Sequence, residues 1–515
     1  MIHILLVWTL ISQIQAQSST HYLGGDPYHL MQAEHAQLSG LNYQQSLDIR
    51  PLIPFGPESG IEISTWGQSF LYYNDNAPNL ENTAELWVGK GLTSFSSLHL
   101  ELNHKYFYFS TEPYYQYSAN RSFPYYHLSQ DPEREGELVR KFHVLNDGPG
   151  RGESTVSELR LRESQLYFHW RGLGGGIANS GMWWGPGIHT SLNMTTNTSG
   201  LPRIVLGTLQ EQRYKNIGLF GQYIFSKLDK NIAEPYYTAI NGSVTYYSDP
   251  VITLGGSRTF LSGGNLVDEN ITWEDAALLP LQPFRKEKLY NEETEENPSD
   301  RTDQTLSLFL SMVFPESGLK IFLEYGWNDH RWDWYDLRAH PDHSGASVIG
   351  FRKYGMFGNP ALHMGFEYAN LMKSPYYPHR GSPDWYGRRF FDFGTYDGRR
   401  FAAHSGSDSD DMLLYFGYTN QQQGGTMGFN YERHGKVYSV LLLEYSGAGR
   451  FPEDKLELRF DYWRDIGIGK VFAYYEYEFT ENLGSPPQGV FPRVENPERK
   501  ANVFGLGFRS DLIDF

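Results

Sequence analysis

The stretch KLELRFDYW, residues 455–463, alternates strictly from Lys455 to Tyr462 between charged and apolar or aromatic side chains. Successive side chains of an extended strand point to opposite faces, so the two kinds of residue separate onto two faces. The apolar face carries Leu456, Leu458, Phe460 and Tyr462, and the charged face carries Glu457, Arg459 and Asp461. The stretch therefore predicts a β-strand with apolar surroundings on one side and polar surroundings on the other.

Three further stretches show the same alternation: SLHLELNHKYFYF (97–109), LKIFLEYGW (319–327) and KVFAYYEYEF (470–479). Repeated alternation over about ten residues, rich in Tyr, Phe and Trp, is typical of a membrane β-barrel. A large soluble β-sandwich or propeller is the alternative, but the length of the segments and their aromatic residues favour the barrel. We therefore predict an all-β, transmembrane, antiparallel outer-membrane β-barrel.

The composition narrows the possible partners and chemistry. Aromatic residues make up 16% of the 515 residues, and the formal net charge is −17. Phosphate contacts require a basic face, so this acidic chain is not expected to bind nucleic acid, whereas a polysaccharide partner stays possible. There is no cysteine, which excludes disulfides, thiol chemistry, cysteine-based zinc sites and a lipid anchor on an N-terminal cysteine.

The two ends of the chain predict export and membrane insertion. Residues 1–16 resemble a signal peptide, with a buried N-terminal strand as the alternative. Residues 17–59 are predicted to form a periplasmic helical and extended segment, and residues 60–515 the outer-membrane β-barrel. The terminal aromatic Phe515 resembles the signal read by the outer-membrane assembly machinery. A bulge or an early strand end near Arg509 would reconcile the register of the last strand.

Long polar inserts interrupt the alternating strands at 262–303, 328–360 and 374–411. Long loops of such barrels usually face outside, whereas short turns belong to the periplasmic end. The acidic run NEETEENPSD (291–300) reads as a solvated loop rather than a metal site. We predict no metal and no cofactor.

Known catalytic motifs are missing from the sequence: there is no G-x-S-x-G elbow, H-E-x-x-H pair, phosphate loop or EF-hand pattern. Barrel enzymes that act on lipids can use Ser and His, but the spacing of the histidines selects no pair. The sequence therefore predicts a protein that is not an enzyme.

Two inserts, WNDHRWDWYDLRAHPDH (327–343) and DWYGRRFFDFGTYDGRRF (384–401), combine aromatic rings with Arg and Asp. Aromatic faces stack on sugar rings, and Arg and Asp bond hydroxyls or acidic-sugar carboxylates. Arg and Asp pairs also fill barrel lumens and hold loops down, and composition alone leaves both interpretations open. The candidate glycan-binding residues are Arg331, Trp332, Trp334, Tyr335, Trp385, Arg388, Arg389, Arg399 and Arg400.

Two of these stretches also carry a resemblance to a known family. GMWWGPGIHTSLNMTTNTSGLPRI (181–204) resembles the Trp-Trp-Gly-Pro-Gly signature of the Wzi capsule-assembly family. DWYGRRFFDFGTYDGRRFAAHSGSDSD (384–410) is similar to a second segment of that family, with Ala403 in place of a glycine. The matching residues include Trp183, Trp184, Gly185, Pro186, Gly187, Asn197, Pro202, Tyr396, Gly398, His404 and Asp408.

The resemblance implies a barrel of about eighteen strands with N-terminal helices at its periplasmic mouth. It also implies a lectin that attaches or assembles surface polysaccharide, with capsular or extracellular polysaccharide and outer-membrane lipid as partners. A porin or transporter for a polar solute is the main alternative, and a barrel enzyme acting on lipid or glycan is the third. Inward folding of 174–211 and 374–411 would disfavour a diffusion pore.

The Trp-Trp stretch itself is predicted to be architectural. RGLGGGIANSG (171–181) precedes it, so the backbone is unusually free there, and Pro186 fixes a bend between two glycines. We expect an inward-folded constriction anchored by Trp183 and Trp184 rather than a sugar platform.

Overall fold

The computed structural model describes residues 27–39, 45–54, 57, 59–123, 151–152, 154–266, 271–281, 302–328, 338, 342–372, 374, 383, 385–387, 389–435, 451–483 and 498–514. Its α-helices are α1 (Pro27–Ser39) and α2 (Trp273–Leu278), and 3-10 helices span Leu279–Leu281 and Pro315–Ser317. The stretch Arg389–Gly394 is helical only in part, because residues 391–393 have non-helical φ and ψ angles. Within these residues, none of the helices has the length and apolar character needed to cross a membrane.

The described residues form strands β1 to β24. Their bounds are β1 Ile49–Arg50, β2 Ile61–Asn74, β3 Gly91–His104, β4 Phe107–Ser118, β5 Val156–Trp170, β6 Leu173–Ala178, β7 Trp183–Trp184, β8 Arg203–Thr208, β9 Gln212–Tyr214, β10 Ile217–Lys227, β11 Tyr236–Tyr246, β12 Val251–Ser262, β13 Thr302–Phe314, β14 Leu319–Asn328, β15 Gly345–Met356, β16 Asn359–Asn370, β17 Thr395–Tyr396, β18 Arg399–Arg400, β19 Ser409–Thr419, β20 Gln423–His434, β21 Glu453–Asp465, β22 Gly469–Glu481, β23 Arg499–Ser510 and β24 Ile513–Asp514.

Twenty of these strands close into one antiparallel barrel, in which each strand pairs with its neighbours in the chain and the last pairs with the first. Strands β8 and β9 both pair with β10, so together they make up one interrupted wall strand. Strands β23 and β24 both pair with β2 and make up another. The wall therefore has 18 strands, as the family resemblance implied. The other strands form two small sheets, β1 with β7 and β17 with β18.

The alternation of the sequence separates the two faces of the wall. On β21 the outward side chains of Phe460 and Tyr462 are 43% and 44% exposed, whereas the inward Lys455 and Glu457 are 4% and 5% exposed. Strand β14 alternates in the same way, with Ile321 and Leu323 on the outer face. An apolar outer band around a polar interior is the arrangement of outer-membrane barrels, and the predicted fold class is confirmed.

The last wall strand is interrupted near its end. Strand β23 stops at Ser510, and pairing with β2 resumes at Ile513 in β24. The Gly67 backbone N–H donates to Ser510 Oγ at the break, at 2.9 Å. This interruption lies close to Arg509, where the sequence required a change of register. Phe515 lies outside the described residues, so its role in assembly stays a prediction.

Short turns gather at one end of the barrel, here called the short-turn end, as in the connections 105–106, 315–318, 357–358 and 466–468. In outer-membrane barrels this end faces the periplasm. Helix α1 lies inside the wall at this end, where His35 Nε2 is 2.8 Å from the Pro360 carbonyl oxygen. The segment before the first wall strand is thus packed against the barrel interior, and its buried side chains include Leu30, Ala33, Leu38 and Leu47.

Candidate functional site

Three connections at the opposite, long-loop end fold into the lumen instead of outward. They are the first inner segment (75–90), the second inner segment (179–202) and the described part of the third inner segment (385–408), and most of their side chains are buried. The candidate site is therefore a filled lumen. How these segments are held decides which side chains a ligand could reach.

The second inner segment pairs with the N-terminal segment of the chain. Strand β7 forms an antiparallel ladder with β1, in which Ile49 faces Trp184 and Arg50 faces Trp183. The Arg50 guanidinium lies 5.0 Å from the centre of the Trp183 ring. Trp184 belongs to the main core cluster and is 1% exposed. The two tryptophans thus join two stretches of chain in the middle of the barrel.

Buried carboxylates of the wall hold the backbone that follows the two tryptophans. The backbone N–H groups of Ile188, His189 and Thr190 donate to the Glu367 carboxylate at 2.9, 3.2 and 2.6 Å. Leu192 N–H donates to Glu324 Oε1 at 3.2 Å. A buried carboxylate needs such donors because leaving it unpaired would be costly. These bonds fix the bend of the segment against the wall.

The glycines of the Trp-Trp-Gly-Pro-Gly stretch permit this close approach. A Cβ on Gly185 would lie 2.7 Å from Glu324 Oε2, and one on Gly187 would collide with the Thr190 carbonyl oxygen. The Pro186 carbonyl oxygen, between the two glycines, accepts a hydrogen bond of 2.8 Å from Arg352. A side chain at either glycine would push the bend away from the wall. This geometry supports the architectural interpretation of the stretch.

The third inner segment is hydrogen-bonded to the second. Tyr386 OH donates to the Leu192 carbonyl oxygen, and Thr195 Oγ1 donates to that of Ala402, both at 2.6 Å. Asn197 Nδ2 donates to the Arg400 carbonyl oxygen at 3.1 Å. Trp385 Nε1 donates to Ser344 O at 2.9 Å. The two segments therefore form one layer across the lumen.

A two-residue turn explains why the family-like segment has Tyr396 and Gly398 at these positions. Tyr396 pairs with Arg399 across the hairpin of β17 and β18, and the intervening Asp397 and Gly398 have φ values of 51° and 84°. Positive φ at both central residues is characteristic of type I′ turns, for which Asp-Gly is a preferred sequence. The Asp397 carboxylate lies 2.7 Å from Arg151, 3.2 Å from Arg160 and 2.9 Å from Lys230. Burial raises the pKa of Asp397, but these cations outweigh it and hold the pKa well below its usual range.

The predicted glycan-binding residues fall into two groups. The side chains of Trp385, Arg399 and Arg400 are each 2% exposed inside the lumen. Arg399 lies 4.8 Å from the Trp87 ring centre and donates to Thr83 Oγ1 at 2.8 Å. Burial, with the nearby charge of Arg151, lowers the pKa of Arg399 to about 9. The other group is Arg331, Trp332, Trp334, Tyr335 and Arg388, which lie outside the described residues, and Arg389, whose side chain does so.

The first inner segment was missed by the sequence analysis. Its Trp87 ring is fully buried beside Arg399, and the Ala84 N–H donates to the Thr196 carbonyl oxygen at 2.8 Å. The Gly200 N–H donates to Glu85 Oε1 at 3.1 Å. The segment reads NDNAPNLENTAELWVGK (74–90), and its proline and lost alternation mark a connection. Nothing in that pattern indicates that the connection turns inward.

Two cavities lie between the inner segments and the short-turn end, on either side of Arg459, Asp461 and Trp463. One has a volume of ≈160 Å³ and the other of ≈100 Å³, and Glu81 borders both. Aromatic and charged side chains line the larger cavity, which is the composition expected of a sugar subsite. Its lining includes Trp66, Gln68, Phe70, Tyr72, Phe95, Glu112, Arg162, Glu163, Phe472, Tyr474 and Arg509.

Residues 77–482 match the family model described as capsule assembly protein Wzi. The chain belongs to the Wzi capsule assembly family. The matched region contains the second and third inner segments and residues 77–90 of the first, so the resemblance carried by the Trp-Trp-Gly-Pro-Gly stretch is confirmed. This Wzi family member is a barrel of the outer-membrane type, with an apolar belt and a packed interior.

One solved structure has a similar fold, and two others align with lower scores. Escherichia coli Wzi, described as an outer-membrane protein involved in group 1 capsule assembly and a carbohydrate-binding β-barrel, aligns over 86% of this chain and 83% of its own, with a TM-score of 0.53 and 10% identity. Pseudomonas aeruginosa OpdQ aligns over 89% and 100%, with a TM-score of 0.42 and 9% identity. Acinetobacter baumannii OccAB2 aligns over 88% and 98%, also with a TM-score of 0.42 and 9% identity. Among curated protein sequences, none matches this Wzi family member.

Proposed function

We propose that the protein binds surface polysaccharide and helps to assemble or retain capsule or exopolysaccharide at the cell surface. Membership of the Wzi capsule assembly family supports the process. The similarity of fold to Escherichia coli Wzi, described as a carbohydrate-binding β-barrel, supports the ligand class. The protein acts by binding the polymer rather than by catalysing a reaction on it.

The observation that carries this proposal is the filled lumen. The second and third inner segments lie across the barrel and hydrogen-bond each other, as in the bond from Thr195 to Ala402. The wall carboxylates Glu324 and Glu367 hold the same layer from the side. A diffusion pore requires a continuous aqueous path, and a layer held by buried hydrogen bonds opposes one. Binding of a polymer at the long-loop end does not need such a path.

The predicted insert 328–360 was too long, because Gly345–Met356 is wall strand β15. The proposed contact surface is the part that precedes β15, where Arg331, Trp332, Trp334 and Tyr335 combine aromatic rings with a guanidinium group. Rings stack on the apolar faces of sugars, and guanidinium groups bond hydroxyls and carboxylates. Trp385, Arg399 and Arg400 are buried in the layer beneath the long-loop end. In this proposal they support the loops from below, and Arg388 and Arg389 assist the contact.

Replacing Trp332, Trp334 and Tyr335 together by alanine is expected to weaken polysaccharide binding by at least about tenfold, since each stacked ring contributes about 0.5–1.5 kcal/mol. The measurement is a pull-down of purified protein with the polysaccharide of its own strain, together with capsule retention in a deletion strain complemented by each variant. Trp273→Ala is the control, because Trp273 is an exposed tryptophan on another long insert.

Two results distinguish a wrong function from a wrong contact surface. If the wild-type protein binds no polysaccharide and the deletion strain keeps its capsule, the proposed function is wrong. If the wild type binds but the triple variant binds equally well, the contact surface is wrong and the function stands. In the second case Trp66→Ala, in the larger cavity, tests that cavity as the binding place.

The intact protein is expected to give no steady conductance in a planar lipid bilayer, because the layer of inner segments occupies the lumen. The measurement is single-channel recording on purified protein. A general porin reconstituted in the same way serves as the positive control. Steady open channels of the wild-type protein would favour the porin or transporter alternative over the polysaccharide-binding barrel.

A further inference from the structure

Four side chains from distant parts of the chain converge inside the barrel. Glu81 comes from the first inner segment, His189 from the second and His404 from the third, and Glu432 points inward from β20. One ligand atom from each of the four lies within 4.8 Å of all the others. Their wide separation along the chain explains why no spacing motif revealed them, and why the sequence predicted no metal.

His404 is at the centre of this group. Its Nε2 atom lies 3.2 Å from Glu81 Oε2, 3.2 Å from Asp411 Oδ2 and 3.5 Å from Glu432 Oε1. Its side chain is 1% exposed, yet among the described residues neither ring nitrogen has a hydrogen-bond partner of acceptable geometry. A buried imidazole that points into three carboxylates without a directed hydrogen bond indicates that something else can occupy the space between them.

His189 completes the donor set from the other side. Its Nε2 atom is 3.1 Å from Asp411 Oδ1, and its ring centre is 4.4 Å from that of His404. Asp411 therefore lies between the two imidazoles. Its contact with His404 is to Nε2, the same atom that faces Glu81 and Glu432, so Asp411 lies on the ligand side of that ring.

The charges around the group leave room for a cation. Lys455 Nζ lies 2.6 Å from Glu81 Oε1, 2.7 Å from Glu457, 3.4 Å from Glu432 Oε1 and 3.7 Å from Glu478 Oε2, so four buried carboxylates share one ammonium group. Buried carboxylates need compensating positive charge, because desolvation makes an unpaired charge costly. Glu81 Oε2 points away from Lys455 toward His404 and is available as a ligand atom.

We propose that Glu81, His189, His404 and Glu432 bind one divalent transition-metal cation, and that Zn²⁺ fits the site well. Imidazole nitrogen with carboxylate oxygen suits zinc, whereas Ca²⁺ and Mg²⁺ prefer oxygen ligands alone. Four ligands at about 2.0–2.2 Å from one ion require only small side-chain rotations from the present spacing. The ≈100 Å³ cavity borders this group, since both Glu81 and His189 line it.

A cation at this point would link all three inner segments to the wall. Glu81, His189 and His404 each lie on a different inner segment, and Glu432 lies on the barrel wall. The ion therefore stabilises the layer across the lumen, whichever polymer or solute the protein handles outside. Removal of the ion is expected to make the inner segments more mobile without unfolding the 18-strand wall.

The test is metal binding by the full-length protein in detergent. After chelation and dialysis, the wild type is expected to take up one Zn²⁺ per chain, measured by elemental analysis and by titration calorimetry. His404→Gln and His189→Gln are expected to weaken binding by at least about 10–100-fold, the loss that follows even when only a partner of a ligand is removed. His104→Gln, on the short-turn rim, is the matched control and should bind as the wild type does. Circular dichroism verifies that each variant keeps its β-structure.

A second measurement needs only the wild type. Added Zn²⁺ should slow proteolysis of the inner segments, and chelation should restore it, because a ligand that binds the folded state stabilises that state. The proposal is wrong if the chelated wild type takes up no Zn²⁺. It is also wrong if both histidine variants bind Zn²⁺ as tightly as the wild type, since the ion would then lie elsewhere.

Discussion

Glu34→Ala is expected to release helix α1 from the barrel wall and to lower the free energy of unfolding by about 3–5 kcal/mol. Glu34 Oε1 accepts hydrogen bonds of 2.7 Å from both Lys320 and Arg352, and Oε2 accepts one of 2.6 Å from Arg352. All three side chains are buried. Removing the carboxylate leaves Arg352 without its main counter-charge in a region that water reaches poorly. Urea unfolding in detergent, followed by tryptophan fluorescence, measures the change.

Glu316→Ala is the control for this prediction. Glu316 is an exposed carboxylate in the turn next to Lys320, and its loss is expected to change stability by less than about 0.5 kcal/mol. Similar unfolding curves for the two variants would show that the buried charges do not hold the helix. Limited proteolysis near residue 40 gives an independent measure of release.

The pH dependence of the Glu34 effect follows from its surroundings. Burial raises the pKa of Glu34, but Arg352 and Lys320 outweigh it and hold the pKa well below its usual value of 4.5. A carboxylate with a depressed pKa stabilises the fold at pH values above its unfolded pKa and loses that effect as pH falls toward its folded pKa. The difference between wild type and Glu34→Ala should therefore be complete at pH 7 and shrink below about pH 4.5.

Trp184→Ala is expected to destabilise the folded protein by about 3–5 kcal/mol, because it removes a large, fully buried ring and leaves a cavity. The Trp184 ring packs 6.4 Å from that of Tyr237 on the wall, measured between ring centres. We expect lower levels of folded barrel in the outer membrane, with unchanged polysaccharide affinity of the protein that does fold. Heat-modifiable gel migration measures the first, and the pull-down measures the second.

Trp183→Ala should have a smaller effect, since it mainly removes the contact of that ring with Arg50. Trp273→Ala, an exposed tryptophan, is the control and should leave the folded fraction unchanged. Normal barrel levels combined with lost binding in the Trp183→Ala, Trp184→Ala double variant would reverse the interpretation. The two tryptophans would then form part of a sugar platform.

The wall of the barrel could be predicted because the environment of each wall side chain depends on its position within its own strand. Each outward residue faces lipid and each inward residue faces the interior. The alternation from Leu456 to Tyr462 therefore predicts both the strand and which of its faces is apolar. The break near Arg509 could be located for the same reason, since two apolar positions on opposite faces require a change of register. Neither inference needed a contact between distant residues.

The filling of the lumen could be predicted only in part. The glycines and the proline around Trp184 indicated a sharp bend, but the partners that fix the bend are Glu324 and Glu367, on wall strands far along the chain. The inward course of 75–90 depends on similar distant partners, so its sequence shows only a connection. The composition around Arg399 and Arg400 fits a sugar surface and a packed interior equally well, and burial distinguishes the two. The role of Arg331 and its aromatic neighbours stays a prediction.

The pairing of β1 with β7 has a consequence for the order of folding. Residues near the start of the chain bond to partners that are synthesised much later. Arg50 contacts Gly187, and Glu34 bonds to Lys320 and Arg352, which are 286 and 318 residues away. Contacts between such distant residues form slowly, because the intervening chain must first be ordered. Helix α1 therefore cannot be held in the lumen until β14 and β15 have joined the growing wall, although β1 can pair with β7 before then. A chain that stops before β14 would keep the β1–β7 ladder but leave Glu34 without Lys320 and Arg352, its two counter-charges.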